Sequence, residues 1–126
     1  MLTSRRYGSL VAALTFGMPE HIGGTRNWDY RFVWLRDAAF TLCAFLRLGY
    51  HEESEAFRTW LRHRIDESKH RTRPMQIMYG VDGHTDLKEA ELDHLRGYRD
   101  SKPVRIGNGA FGQLQLDIYG ELMDAI

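Results

Sequence analysis

The sequence of 126 residues has the length of one domain, and its 43% hydrophobic and 27% charged residues are ordinary for a globular fold. Lys and Arg number 17 against 17 Asp and Glu, giving a formal net charge of zero. That balance argues against a nucleic-acid binder, whose basic surplus neutralises phosphates, and the single cysteine excludes an internal disulfide.

Residues 1–6 are expected to be disordered. Arg5 and Arg6 precede an apolar run at 10–14 that is too short and interrupted for a signal peptide. No stretch approaches the roughly 18 apolar residues of a membrane span, so the expectation is a cytoplasmic chain clear of membranes. Residues 7–16 are apolar and short, which leaves helix and strand both open. Pro19, Gly23 and Gly24 mark 17–29 as a loop.

The first clear helix is predicted at 35–48. Asp37 suits the positive end of its dipole and Gly49 its stop. Its run AAFTLCAFLRL is apolar nearly all round, so burial on most sides is expected. Cys43 lies in that run and reads as a small buried hydrophobe. A second helix is predicted at 52–68, with one stripe of Ala56, Phe57, Trp60, Leu61 and Ile65 on an otherwise charged surface. Together they form a hairpin with one inner and one outer member.

Residues 69–88, with Pro74, Gly80 and Gly83, read as a long irregular connection. Residues 88–96 are predicted as a short helix and 97–109 as loop. A last helix is predicted at 110–126. Phe111, Leu114, Ile118, Leu122 and Ala125 form one stripe, and Leu116, Tyr119, Met123 and Ile126 a second. Two helices built for burial on several sides, with one outer helix between them, predict a piece of a larger helical array. Apolar surface left wet forfeits about 25 cal/mol per Å².

The segment richest in chemistry is 26–40, RNWDYRFVWLRDAAF, which feeds two Trp, a Tyr, three Arg and two Asp into the first helix. Charges at the mouth of an apolar helix need partners. Arg36 and Asp37 are adjacent, so on a helix they point about 100° apart and each looks elsewhere. Sugar hydroxyls suit both, since a carboxylate accepts and a guanidinium donates in a fixed fork. Trp28, Tyr30 and Trp34 offer ring faces for the C–H face of a pyranose. A buried structural network is the competing reading.

The nonapeptide DYRFVWLRD at 29–37 resembles the signature that opens an inner helix in glycoside hydrolase family 15, the glucoamylase, glucodextranase and bacterial trehalase-like enzymes. PEHIGGTRNWDY, MYGVDG and PVRIGNGAFGQLQLDIYGELMDA extend the likeness in the family's order, from about Gly8 onward. The resemblance implies an all-α fold, the N-terminal part of an (α/α)6 toroid of inner and outer helices, so 1–126 is expected to be a truncated piece of one catalytic domain. It implies hydrolysis of α-glucosidic bonds from non-reducing ends by an inverting mechanism, on a glucan, a maltooligosaccharide or trehalose. Arg36 and Asp37 take the place of the pair that binds hydroxyls of the terminal sugar. Trp34 lies in the same pocket, Tyr30 lies near the developing oxocarbenium ion, and Arg105 and Asn108 line the pocket from the PVRIGNG loop. The family's general acid follows in a Trp-Glu segment and its base lies further on; this sequence contains no Trp-Glu pair, so both catalytic glutamates are expected to be absent.

No other motif competes. The six His show no metal-ligand spacing, Asp82, His84 and Asp86 read as a turn, and Gly107, Gly109 and Gly112 follow no strand that would make a phosphate cradle. No cofactor or metal is expected, and the expected partner is a carbohydrate. The alternative from another class is a non-catalytic remnant or small helical module, self-associating through exposed apolar helices.

Overall fold

Three helices and two short strand pairs make up the computed structural model, which describes residues 2–70 and 74–125. Helix α1 spans Leu35–Leu48. Gly49 stops it in the left-handed region at φ 83°, where its N–H bonds Leu46 O at 3.3 Å and that of Tyr50 bonds Phe45 O at 2.9 Å. Such a reversal is open to glycine without steric strain. Helix α2, His51–Lys69, follows at once and packs back on α1 as a hairpin.

Burial on α1 is narrower than its composition predicts. Leu35, Ala38, Ala39 and Leu42, spaced by three and four, form one buried stripe. Phe40 and Leu48 on other faces are 61% and 71% exposed, and Cys43 is only partly covered. On α2 the buried stripe is Ser54, Phe57, Trp60 and Leu61. Ser54 enters it because its hydroxyl donates to Tyr50 O at 2.8 Å, whereas Ala56 is exposed and Ile65 partly so. Phe57 stacks on Trp60 at 5.7 Å, and Trp60 meets Tyr79 edge-on at 5.9 Å.

The all-helical expectation is met in the hairpin and corrected elsewhere. Strand β1 (Val33–Trp34) pairs antiparallel with β2 (Met78–Tyr79), and β3 (Ala90–Glu91) with β4 (Arg105–Ile106). The helix predicted at 88–96 does not form. Glu89 and Glu91 both reach Arg105, at 3.3 and 3.2 Å. Residues two apart share a face in extended chain and not in a helix. The last helix begins late. A 3-10 turn, Gly109–Gly112, is capped by Asn108, and extended chain at Gln113 separates it from α3, Asp117–Ala125. Ile118 and Leu122 are buried, while Leu114, Leu116, Tyr119 and Met123 of the predicted stripes are exposed. The prediction for Ile126 falls outside the described residues.

Residues 7–16 are neither a helix nor a long strand. A bridge from Thr3 to Leu10 and the bond from Ser4 N–H to Ser9 O at 2.8 Å fold residues 3–10 on themselves, within the stretch expected to be disordered up to residue 6. Burial of Leu10 and Val11 holds this turn against the core. Ala12 and Ala13 then donate to Phe32 O and Tyr30 O, both at 2.9 Å.

Helix α3 lies against α1. Arg36, near the start of α1, meets Asp117, the first residue of α3, at 3.3 Å, so both helices begin at the same end while α2 runs back between their sequence positions. Among the described residues no helix is long and apolar enough to cross a membrane.

Candidate functional site

Residues 27–31 run extended into α1, and their side chains alternate between two faces. Asn27 and Asp29 are fully buried. Trp28 and Tyr30 turn the other way, Tyr30 being 41% exposed.

The inner face is tied to the loop 101–108. Asn27 Nδ2 lies 2.8 Å from Pro103 O, with Gly24 O and Ser101 O at 3.2 and 3.3 Å. The Asp29 carboxylate takes a two-pronged bond from Arg31, Nε to Oδ1 and Nη2 to Oδ2, both 2.9 Å. It also accepts from Arg31 N–H at 3.1 Å and Gly107 N–H at 3.2 Å. Its own carbonyl accepts from Asn108 Nδ2 at 3.1 Å. The Asp29 hydrogen bond and charge outweigh partial burial and hold the Arg31 guanidinium above its ordinary pKa. Gly107 has φ 77°, and a Cβ there would stand 2.0 Å from Lys88 O, so the loop seats only with glycine.

Arg105 and Asn108 belong to this inner network. Arg105 is surrounded by Glu89, Glu91 and Thr25 O (2.8 Å), and its guanidinium lies 4.8 Å from the Trp28 ring centre. Its side chain is 14% exposed, and each of its nitrogens already has a protein partner. Asn108 is spent on Asp29 O and on capping Ala110 N–H at 3.0 Å.

The other four residues selected from sequence gather at the mouth of α1. Tyr30 and Trp34 are 6.3 Å apart at 45°. Asp37 Oδ2 lies 3.7 Å from Arg36 Nη2, and both side chains are about half exposed. Trp34 and Asp37 line a cleft of about 470 Å³ whose apolar wall includes Leu10, Val11 and Phe45. A larger cleft of about 840 Å³, between the end of α2 and residues 111–114, contains none of the six. We take the mouth of α1 as the candidate site, because Trp34 and Asp37 line the cleft beside it and none of the six lines the larger one.

Two positions that hold this arrangement together escape the sequence. Asp29 lies inside the motif but nothing in its spacing distinguishes an inward carboxylate from an outward one. Asp117 lies 81 residues from Arg36, beyond any local pattern. Among the described residues no group of three His, Cys, Asp or Glu is placed to hold a metal ion.

Ring faces beside a half-exposed carboxylate and guanidinium are suited to a polyhydroxylated, neutral ligand. The chain belongs to the glycosyl hydrolases of family 15, whose pattern matches residues 1–126. It is 44% identical over 124 residues to a trehalase of Mycobacterium tuberculosis, covering 98% of this chain and 18% of that protein. A trehalase of Thermoplasma acidophilum is 47% identical over 120 residues, covering 94% and 20%. Trehalase 2 of Sulfolobus acidocaldarius is 39% identical over 120 residues, covering 94% and 20%. The chain thus spans about a fifth of the length of the curated relatives it matches. No solved structure matches it significantly.

Proposed function

We propose that this chain supplies the terminal-glucose subsite of an enzyme that hydrolyses an α-glucosidic bond, with trehalose as substrate ahead of maltooligosaccharides and glucans. The observation that carries the reading is the half-exposed Arg36–Asp37 pair beside the Tyr30 and Trp34 rings. Membership of a glycoside hydrolase family supports the reaction class, and the relatives named trehalases support the substrate.

Asp37 accepts hydrogen bonds from two adjacent hydroxyls and Arg36 donates to a third oxygen. The rings cover the apolar face of the sugar and exclude water from one side. Inversion needs two carboxyl groups about 6.5–9.5 Å apart, one protonating the glycosidic oxygen and the other activating water. The resemblance assigns those roles to glutamates of segments that this sequence does not contain, so the part played by this chain is binding and orientation. The parallel start of α1 and α3, packed on each other with α2 between them in sequence, fits one and a half repeats of an (α/α)6 toroid. Arg105 and Asn108, occupied by protein partners, act by holding the pocket loop.

The test is trehalose, maltose and maltotriose binding, with glucose release in the same samples, by the wild-type chain and by Asp37→Ala. Trehalose binding that vanishes in a folded Asp37→Ala variant supports the subsite. Binding that survives the substitution overturns it. A helical association module is the second reading, favoured by the exposure of Phe40, Leu48, Leu114, Leu116 and Met123. It predicts a concentration-dependent oligomer on sizing and no response to trehalose.

A further inference from the structure

Asp117 lies 81 residues from Arg36, yet it is the carboxylate that accepts from its guanidinium. Its Oδ2 accepts from Arg36 Nη1 at 3.3 Å. The motif's own carboxylate, Asp37, stands 3.7 Å from Nη2, an ion-pair distance beyond a hydrogen bond. Among the described residues, the Arg36 guanidinium thus donates its hydrogen bond to α3, and Asp37 of α1 adds charge beside it.

The arrangement has a physical consequence. An arginine side chain that is 40% exposed samples many rotamers unless something fixes its fork, and that freedom must be given up when it binds a ligand. Asp37, expected from helix geometry to point away, does approach Arg36, but at 3.7 Å it adds charge without a directional bond that would fix the fork. Asp117 can fix it, because α3 is seated on α1 by the burial of Ile118 and Leu122 one and five residues on. With Nη1 committed to Asp117, Nη2 is left facing the Asp37 carboxylate, where one bound hydroxyl pair can reach both.

We propose that Asp117 is a positioning residue of the saccharide subsite, fixing the Arg36 fork so that Nη2 and the Asp37 carboxylate address the same hexose. This inference rests on the saccharide reading above. It makes the subsite a joint product of two helices, competent only while α3 is docked on α1. Exposed ion pairs contribute little to folding, so removing Asp117 leaves the fold in place and its effect appears in binding.

Two measurements on this chain test it. Without sugar, the guanidinium NMR signals of Arg36 are expected to be resolved by restricted rotation in the wild type and averaged in Asp117→Ala. Averaged signals already in the wild type overturn the hold whatever the sugar does. With trehalose, followed at the Trp34 indole resonance, Asp117→Ala is expected to weaken binding about three- to tenfold, the scale of one charge-assisted hydrogen bond, with the melting midpoint nearly unmoved. In an Arg36→Gln background the same substitution is expected to change nothing further. Trehalose affinity that ignores Asp117, or a loss that persists undiminished without Arg36, overturns the positioning role alone. No trehalose binding by the folded wild type overturns the saccharide reading and this inference with it.

Discussion

The two faces of residues 27–31 differ in what their polar groups are committed to. On the inner face the carboxylate and carbonyl of Asp29 accept from Arg31, Gly107 and Asn108, and the carboxylate is fully buried. On the outer face Tyr30 leads to Trp34 and then to Arg36 and Asp37, whose side chains are about half exposed and joined by one long ion pair. A buried charge pair is costly to break and tolerates no vacancy. An exposed one is worth about 0–1 kcal/mol and can exchange its partners for a ligand's hydroxyls. One short motif thus combines a structural anchor and the proposed binding surface, and mutation separates them.

The largest effect is expected at Asp29. Asp29→Ala removes the acceptor for Arg31 and Gly107 and leaves a charge without its partner, at a cost of about 2–4 kcal/mol. The figure lies toward the low side for a broken buried pair because the Arg31 side chain is 38% exposed. Urea unfolding measures it, and a loss below about 1 kcal/mol would erase the distinction between the two faces. Gly107→Ala comes next, at about 2–3 kcal/mol, from a positive φ and a Cβ driven into Lys88 O. Because Gly107 N–H also serves Asp29, the two substitutions are expected to be less than additive when combined.

Legibility in the sequence followed the range of the interactions. Helix α1 and its stop at Gly49 were readable because capping and periodicity are local. The four outer-face residues were readable together because they fall within eight consecutive positions. The strand at Ala90–Glu91 was hidden because KEAELDHLR carries strong helix formers, and what overrides them is Arg105, fourteen residues away from Glu91. The late start of α3 was hidden likewise, since an apolar period does not show that Asn108 caps a separate 3-10 turn first. Asp29 and Arg105 show the limit for the site itself. Their residue types suit sugar binding and structural bracing equally, and only the contacts at sequence separations of 78 and 80 choose between them.

On the outer face the effect on folding shrinks while the effect on binding remains. Asp37→Asn is expected to change stability by no more than about 0.5 kcal/mol, since its ion pair to Arg36 is long and solvated. Thermal melting of that variant beside its trehalose titration sharpens the comparison. A large drop in the melting midpoint would move Asp37 to the structural face.

The smallest effect concerns a contact that is both local and exposed, the pair Asp82–His84. The His84 ring nitrogen Nδ1 lies 2.6 Å from Asp82 Oδ1, and His84 N–H donates to the same oxygen at 3.1 Å. The ring hydrogen bond first, and the backbone bond second, hold the Asp82 carboxyl below the ordinary carboxylate range. A carboxyl whose pKa is lower in the folded chain binds its proton more readily when unfolded. Its contribution to stability is therefore complete above about pH 4, the unfolded value. It is lost as the pH falls through the folded value. Melting curves between pH 7 and pH 2 should thus fall more steeply for the wild type than for Asp82→Asn. The difference should be small because both side chains are half exposed. Parallel curves would show that solvent screens this turn completely.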